Sequence, residues 1–404
     1  MPALSRGQAH PPGRLLNSRQ PTAPAPMTDP HASPPPATEV DVLVAGLGPG
    51  GCMAALTAHR LGLRVLGTEA RGRHGNRGRL VVVRPKAQAL LSAVGLTDIT
   101  RGRRTTTLRH VEERLRQTLC AAADSVEAQR PSLHWHTRVV ALTPGADHVL
   151  ATLQADDGTQ HAVRARHVVD ATGGKLEALG RTPRRRTGAR HIVVTAEYAT
   201  PPWYDGIVGA RDPDTGDAYF LIPMRGRTGI TAYLDSPPGE GDSEAVLTQR
   251  FEAIAERLGL RDLRQEVQAV DVVQRLLPVP STDRVVPIGD AAGTVDLWIG
   301  AGMSTAIEDG ADAAEAIARA QRAGDVATEM RLTREASARA VARHQRRIWL
   351  GRVVVAARPL IIRLWPTLPL DQVTRHALRS PRWLWQGIRV VFGRRPPAPA
   401  EGRD

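Results

Sequence analysis

The sequence predicts a mixed α/β (α+β) fold in which segments far apart along the chain complete one parallel sheet. Three short glycine-containing motifs, at residues 46–51, 168–174 and 288–293, carry this prediction. Each adjoins a run of apolar, mostly β-branched residues, as expected for strands that are buried on both faces. One such motif alone is a weak signal, but their order and wide separation predict a discontinuous domain.

The first motif has the pattern of a phosphate-binding turn between a strand and a helix. It follows the apolar run 40–45 and consists of Gly46, Leu47, Gly48, Pro49, Gly50 and Gly51. Gly46 allows a tight turn, Gly48 lets a pyrophosphate approach the backbone, and Gly51 allows close packing of helix on sheet. Pro49 suits the first helical turn, whose unpaired N–H groups and positive dipole end favour phosphate. We therefore predict a dinucleotide site at this turn.

An acidic residue marks the other end of this unit. The run 64–68 predicts a second strand, and Glu69 follows it directly. At this position a carboxylate accepts hydrogen bonds from the adenosine ribose. Because a carboxylate would repel a 2′-phosphate, the predicted ligand is FAD or NAD.

A late strand and turn favour FAD, because an NAD-binding domain needs nothing from the chain so far downstream. Residues 284–288 predict a strand that returns beside the first one, and Gly289 and Asp290 follow it. This arrangement resembles flavoproteins of the glutathione-reductase-like fold, in which such an Asp accepts hydrogen bonds from the ribityl chain. A small-residue helix comes next, and its N-terminus would face the flavin pyrimidine ring. Its opening residues are Gly300, Ala301 and Gly302.

Over residues 40–320 the chain resembles the single-component, FAD-dependent aromatic hydroxylases built like p-hydroxybenzoate hydroxylase, the group A flavoproteins. Geranylgeranyl reductases and flavin halogenases are related to them. The stretch 76–79 is similar to the family's segment that carries a flavin-contacting arginine, and the resemblance gives this role to Arg79 first and Arg77 second. Arg109 lies in a segment that resembles the helix start where another side chain approaches the cofactor.

The resemblance implies an FAD-dependent monooxygenase. Such an enzyme would use O2 to hydroxylate or epoxidise a lipophilic aromatic or polyunsaturated small molecule through a flavin C4a-hydroperoxide. NADPH or NADH would act as a transient reductant, or a separate flavin reductase would supply the electrons.

Departures from the hydroxylase pattern keep alternatives open. The middle motif reads Asp-Ala-Thr-Gly at 170–173 where hydroxylases have Ala-Asp-Gly, and Gly293 stands where they have His. These features favour a prenyl-chain (geranylgeranyl-type) reductase or cyclase as the first alternative and a halogenase-like enzyme as the second. Trp383 and Trp385 only half match the Trp-x-Trp-x-Ile-Pro signature of halogenases.

Composition and motif positions divide the chain into six segments. We predict a disordered Pro-rich N-terminus at 1–38, the first part of the FAD-binding domain at 39–190, a substrate-binding lobe at 191–281, the return segment of the FAD-binding domain at 282–320, a basic helical region at 321–395 and a disordered tail at 396–404. The N-terminal segment contains ten prolines and no apolar run, so it cannot bury enough surface to become ordered.

All four tyrosines of the chain fall in the predicted substrate lobe, although aromatic residues make up only 3% of the sequence. The functional interpretation is a ring-lined apolar pocket over the flavin, with Tyr198, Tyr219 and Tyr233 in its wall. The alternative is that they fill the core of a sheet. No motif fixes a catalytic acid or base.

Cysteine usage and missing motifs narrow the class. The two cysteines, Cys52 and Cys120, form neither a Cys-x-x-Cys pair nor a disulfide framework, which favours a reducing cytoplasm. We find no clustered metal-ligand spacing and predict no metal. A second Gly-rich turn after a strand is also missing, which argues against a separate NAD(P)H domain.

The C-terminal region holds most of the net charge. Residues 339–395 contain 13 arginines and one acidic residue, with four of the seven tryptophans. Arginines at 352, 358 and 363 break every long apolar window, and Pro359 is expected to interrupt a helix, so this segment does not predict a transmembrane span. Arginine, tryptophan and aliphatic residues together favour peripheral attachment to an anionic membrane, at its inner face. The alternative is a solvated helical cap; no nucleic-acid motif accompanies the charge.

Overall fold

The computed structural model describes fifteen stretches of the chain. They are residues 38–72, 80–99, 105–126, 130–174, 184–186, 191–201, 208–212, 214–215, 217–224, 226–235, 244–272, 275–276, 284–293, 302–364 and 367–369. The two segments predicted to be disordered lie outside these residues, except for Thr38. The tryptophans of the half-matched halogenase signature lie outside them as well.

The described part of the chain alternates strands and helices. The strands β1 to β17 are Thr38–Ala45, Val65–Glu69, Leu80–Val82, Thr105–Thr107, Ser132–Trp135, Thr137–Pro144, Val149–Ala155, Gln160–Asp170, Arg184–Arg186, His191–Tyr198, Val208–Arg211, Ala218–Met224, Arg227–Asp235, Leu263–Val272, Arg275–Leu276, Val285–Pro287 and Thr367–Pro369. The helices α1 to α6 are Pro49–Arg60, Pro85–Ala93, Leu108–Ala123, Glu244–Arg257, Gly302–Ala323 and Val326–Leu364. A 3-10 turn spans Gly289–Ala291. The mixed α/β class predicted from the sequence is confirmed.

A seven-stranded sheet carries the three motifs. Its order is β5-β2-β1-β8-β7-β6, and β16 also pairs with β8. Strands β1, β2, β5, β8 and β16 run parallel, so their carboxyl ends meet at one edge, where ligands bind in α/β folds. All three motifs begin at this edge.

The late strand does not lie beside the first one, and that prediction is corrected. β8 is hydrogen-bonded to β1 along one edge, and β16 pairs with its other edge, with Pro287 opposite Asp170. The physical reason is the length of β8: its first half pairs with β7 and its last residues still offer a free edge to β16. The late turn is therefore two strands away from the Gly-rich turn.

The second sheet has six antiparallel strands, in the order β14-β10-β13-β12-β11-β17. Helix α4 covers one face, where Phe251 and Ile254 pack against even-numbered residues of β10 and β13. The two-stranded antiparallel ladder β3–β4 approaches the opposite face, because a Cβ on Gly229 would lie only 2.5 Å from Leu80 Cδ1. Val81 of the same ladder packs against the core of the first sheet, so the ladder links the two sheets.

Helix α6 docks on the first sheet through a buried charge cluster. Glu329 Oε1 accepts hydrogen bonds from His167 Nε2 at 2.6 Å and from Arg284 Nη1 at 3.1 Å. Burial alone would raise the pKa of Glu329, but the hydrogen bond from His167 and the charges of Arg284 and Arg166 outweigh it and lower this pKa to about 2. The cluster therefore joins β8, the segment before β16 and α6.

The prediction that Pro359 interrupts the helix was wrong, because α6 runs from Val326 to Leu364. One proline removes a single backbone hydrogen bond and can kink a helix without ending it. Within the part of the chain that the structure describes, no helix combines the length and the low charge that crossing a bilayer requires.

Replacing Glu329 by glutamine should destabilise the fold by about 3 kcal/mol at neutral pH, because Arg284 then loses its buried carboxylate. The depressed pKa means that the contribution of Glu329 is complete above about pH 4.5 and is lost as the pH falls towards 2. Urea unfolding between pH 2 and 7 measures it, and the variant should lose that part of the pH dependence. Glu335→Gln, at an exposed pair with Arg331 on the same helix, is the control and should change little.

Candidate functional site

The Gly-rich turn is held by the packing of its own backbone. Gly46 has a φ of +97°, which favours glycine, and its N–H donates to Thr68 O at 2.8 Å. A Cβ on Gly51 would lie 1.9 Å from Gly46 O, so the helix could not start so close to the strand with any side chain there. These contacts agree with the roles predicted for both glycines.

The start of α1 is suited to an anion. Gly48 is its N-cap, Pro49 and Gly50 begin the helix, and the first turn contains no acidic residue and no side-chain cap. A Cβ on Gly48 would meet no protein atom within 4 Å. The unpaired N–H groups and the positive helix end therefore stand beside open space, which fits the pyrophosphate of a dinucleotide.

Glu69 holds the Gly-rich turn as well as ending its strand. The carboxylate is buried; its Oε2 accepts the Leu47 N–H at 3.0 Å, and its Oε1 accepts the Arg71 N–H at 3.1 Å. The sequence predicted an acceptor for the adenosine ribose at this position. The side chain is oriented at the carboxyl end of β2, and the ribose role remains a prediction.

Arg116 is a buried residue of this site that sequence reasoning missed. Its Nη2 lies 3.4 Å from Glu69 Oε2, its Nε donates to Leu47 O at 3.0 Å, and the guanidinium stacks 5.6 Å from the centre of the Trp135 ring. The signal was a charged residue between Leu115 and Leu119 on the apolar face of α3. Arg116 and Glu69 together brace the backbone of the turn.

Asp170 ends β8 with its side chain fully buried. Its Oδ1 accepts hydrogen bonds from Thr172 N at 3.1 Å and Thr172 Oγ1 at 2.7 Å. Its carbonyl accepts the Ile288 N–H at 2.9 Å. The middle motif thus shapes its own turn and supports the start of the late one.

The late turn presents Asp290 to solvent on a fixed backbone. The Gly289 N–H donates to Asp309 Oδ2 at 3.2 Å, and Asp309 also binds His344 Nε2 at 2.7 Å and Arg343 Nη1 at 2.6 Å. Asp309 and His344 are buried, whereas Asp290 is exposed. Helices α5 and α6 therefore fix the turn from which Asp290 projects.

Replacing Asp290 by alanine should weaken FAD binding while the protein stays folded. If Asp290 accepts a hydrogen bond from the ribityl chain, its loss costs about 1.5–3 kcal/mol, roughly a 10- to 150-fold rise in Kd. Titration of the apoprotein with FAD, followed by flavin fluorescence, measures this. Asp290→Asn, which keeps an acceptor, should lose less, and an unchanged Kd for the alanine variant would mean that the late turn does not contact FAD.

The start of α5 is anchored to β3 and to the residue that precedes α2. Ser304 Oγ donates to Val82 O at 3.1 Å and accepts the Arg84 N–H at 3.1 Å. Gly302 begins the helix. Of the other residues predicted to contact the cofactor, Gly300, Ala301, Arg77 and Arg79 lie outside the described residues.

Arg109 lies in the first turn of α3 and is half-buried. Thr107 caps this helix by accepting the His110 N–H at 3.1 Å. The Nε atom of Arg109 is buried, although the residue as a whole is half-buried, and this atom has no hydrogen-bond partner among the described residues. A buried donor without a partner fits a side chain that binds a ligand, as the resemblance implies for this position.

The second sheet separates the three tyrosines predicted to line a pocket. Tyr198 and Tyr219 lie in the core between the sheet and α4, where they pack with Phe251. Tyr233 lies on the opposite face, with its ring edge-to-face against Phe220 at 5.3 Å. Because side chains alternate along a strand, only Tyr233 of the three stays a candidate for a pocket wall on that face.

The same opposite face carries buried polar side chains. Thr195, Glu197 and Thr231 alternate with the residues that face α4. Burial raises the pKa of the Glu197 carboxyl, although Arg227, whose Nη1 lies 2.8 Å from Oε2, opposes the rise. Sequence reasoning missed this group; the signal was a charged residue inside an apolar strand.

The stretches that the structure describes contain no group of three or more His, Cys, Asp or Glu side chains that could hold an ion. Cys52 is buried in α1 and its Sγ donates to Leu47 O at 3.2 Å.

Comparison with known proteins identifies the family. The family described as "FAD binding domain" matches residues 104–346. No curated protein matches the chain. Among solved structures, pqsL of Pseudomonas aeruginosa, a probable FAD-dependent monooxygenase, is similar with a TM-score of 0.62 and 20% identity over 79% of this chain and 96% of its own.

Two further structures have the same fold. OxyS, an anhydrotetracycline hydroxylase from Streptomyces rimosus, has a TM-score of 0.59 and 18% identity, over 81% of this chain and 73% of its own. The flavin-dependent brominase Bmp2, as a triple mutant, has a TM-score of 0.59 and 18% identity, over 88% of this chain and all of its own. At these identities the similarity shows a shared fold.

Proposed function

The chain belongs to the FAD binding domain family and is an FAD-dependent oxidoreductase, and we propose that it is a monooxygenase. Its substrate is a lipophilic aromatic or polyunsaturated small molecule, which it hydroxylates or epoxidises with O2. The proposal includes the C4a-hydroperoxide route, in which bound FAD, once reduced by NADPH, NADH or a flavin reductase, would activate O2. The similar structures that carry monooxygenase and hydroxylase names support it.

The protein's own residues have distinct roles in this proposal. The N–H groups at the start of α1 bind the pyrophosphate beside Gly48, and Glu69 receives the adenosine ribose. Asp290 holds the ribityl chain, and Arg109 contributes the buried Nε that has no partner among the described residues. The N-terminus of α5, fixed by Ser304, favours negative charge on the reduced cofactor.

The observation that carries the proposal is the buried second-sheet face beside the β3–β4 ladder. Apolar and polar residues on this face are both buried; examples are Phe220 and Ile222 among the apolar ones and Thr231 among the polar ones. Strand β3 of this ladder approaches the face at Gly229 through Leu80 and accepts a hydrogen bond from the start of α5 at Val82 O. Oxygen transfer from a reactive intermediate requires a site that excludes water, and this face meets that requirement close to the proposed flavin position.

Oxygen consumption by the reduced protein tests the proposal. We expect the purified protein to be yellow and to release FAD on denaturation. The protein is reduced without oxygen by NADPH, by NADH or by a separate flavin reductase, and is then mixed with O2 and an aromatic or polyene probe. The expected result is probe-dependent oxygen uptake, with one atom from ¹⁸O₂ found in the product by mass spectrometry.

The alternatives appear as different products of the same experiment. A prenyl-chain reductase would saturate a double bond of geranylgeraniol without oxygen uptake, and a cyclase would isomerise a polyene. A halogenase would give a halogenated ring only with bromide or chloride present. Any of these results, without ¹⁸O in the product, would overturn the monooxygenase proposal.

We also propose peripheral attachment to an anionic membrane through the residues after 369. Helix α6 up to Ile348 packs on the sheet and on α5, so a deletion must begin after it. Removing 370–404 should abolish co-sedimentation with phosphatidylserine vesicles at low salt and leave FAD bound. Full-length protein that stays in the supernatant at low salt would contradict attachment.

A further inference from the structure

Three buried polar atoms on the second-sheet face opposite α4 have no hydrogen-bond partner among the described residues. Thr195 Oγ1, Glu197 Oε1 and Thr231 Oγ1 are buried and accept or donate no hydrogen bond to any described residue. Their residues are 2%, 2% and 6% exposed. Buried polar groups in folded proteins normally have a hydrogen-bond partner. Three neighbouring groups without one therefore indicate a ligand that supplies the missing hydrogen bonds.

The strand register brings these atoms together. Thr195 is directly opposite Thr231 in the β10–β13 ladder, and Glu197 follows Thr195 by two residues on the same face. Directly opposite residues and second neighbours along a strand are adjacent on the surface of a sheet. We call Thr195, Glu197 and Thr231 the polar triad.

Aromatic rings lie beside the polar triad. Phe220 is opposite Thr231 in the β12–β13 ladder, and the edge-to-face ring of Tyr233 follows Thr231 by two residues. A flat ring system could therefore rest against Phe220 and Tyr233 with a polar substituent directed at the triad.

The charge of the triad selects the kind of substituent. Glu197 Oε2 is paired with Arg227 Nη1, while Oε1 has no partner in the described part of the chain. Arg227 is the one arginine or lysine that β10, β12 and β13 place on this face in their described residues, and its charge is already paired with Glu197. A free carboxylate oxygen accepts N–H or O–H donors and repels anions.

Building on the proposed function, we infer that the polar triad binds the polar substituent of the substrate, and that this substrate is an arylamine or a phenol rather than an aryl carboxylate. Glu197 accepts the hydrogen bond from the N–H or O–H group. The hydroxyls of Thr195 and Thr231 donate to the same substituent or accept from it. All three act as specificity-determining residues.

Binding of three matched probes tests this inference without turnover. The probes are 2-naphthylamine, 2-naphthol and 2-naphthoate, which share one ring system and differ in one substituent. Binding to the oxidised FAD-loaded protein is followed by the change in flavin absorbance. We expect the amine and the phenol to bind at least about 10-fold more tightly than the carboxylate.

Variants of the triad should remove this preference. Glu197→Gln should weaken naphthylamine binding about 10-fold and leave naphthoate binding unchanged or tighter. Thr231→Val, which is nearly isosteric, should weaken naphthol binding several-fold. Met224→Leu, an apolar change on the same face, is the control and should keep the preference of the unaltered protein.

Either of two results would overturn the inference: naphthoate bound as tightly as the other probes, or a preference that Glu197→Gln leaves intact. If Glu197→Gln does not fold, as judged by FAD content and circular dichroism, Thr231→Val decides in the same way. Failure of the monooxygenase proposal is visible separately, because the probes would then bind selectively without any oxygen uptake.

Discussion

Replacing Gly51 by alanine should abolish the folded protein, whereas replacing Gly48 by alanine should leave it folded but unable to hold FAD. At Gly51 a Cβ would lie 1.9 Å from Gly46 O, a backbone atom that cannot move without breaking the turn. Overpacking of this kind against backbone costs more than the usual 1–3 kcal/mol (roughly) of a crowded core. Soluble yield and circular dichroism measure this effect.

Gly48→Ala isolates the cofactor contribution. The added Cβ meets no protein atom within 4 Å, and the backbone conformation of Gly48 suits any residue, so the loss of stability should stay near ~1 kcal/mol or below. The same Cβ occupies the space through which a pyrophosphate approaches the start of α1. We expect FAD affinity to fall about 100-fold, or about 3 kcal/mol. Unchanged FAD affinity in this variant would rule out phosphate binding at α1.

The second large effect is expected at Arg116. Arg116→Met keeps an unbranched apolar side chain but removes the guanidinium, which leaves the buried carboxylate of Glu69 without its buried partner. Breaking such a pair costs about 3–5 kcal/mol. The midpoint and slope of urea unfolding measure it, and FAD affinity should fall as well because Arg116 also holds Leu47 O.

Arg71→Met is the matched control, because Arg71 pairs with the same carboxylate from a half-exposed position. Its loss should cost about 0–1 kcal/mol. The double variant Glu69→Gln with Arg116→Met should lose less free energy of unfolding than the sum of the two single losses. The reason is that both substitutions remove the same interaction. Strict additivity would show that Glu69 and Arg116 stabilise the turn independently.

The sequence was sufficient for those parts of the site that depend on local backbone. The geometry of a strand–turn–helix unit dictates the residue types at Gly46, Gly48, Pro49 and Gly51. Their pattern alone therefore predicts a phosphate-binding turn at the start of α1. Asp290 and the start of α5 followed from the resemblance, and the structure places both at the same sheet edge. The family match confirms the FAD-binding fold.

The parts that sequence reasoning missed depend on side chains that meet across long distances in the chain. Arg116 reaches Leu47 from another helix, and Asp309 binds Gly289, Arg343 and His344 together. Neither pattern has a fixed spacing. The polar triad was hidden for a related reason: one pleated strand gives Tyr198 and Glu197 to opposite faces, and aromatic clustering does not reveal which face is free.

The residues of the Glu329 cluster lie far apart in the chain, so the cluster can form only late in synthesis. A ribosome releases β8 with His167 long before β16, Arg284 and Glu329 exist. Until then the last residues of β8 offer an unpaired strand edge, which is a site for wrong pairing between nascent chains. Completion of the parallel sheet must therefore wait for β16, and the buried Arg284 stays without its carboxylate partner until α6 follows.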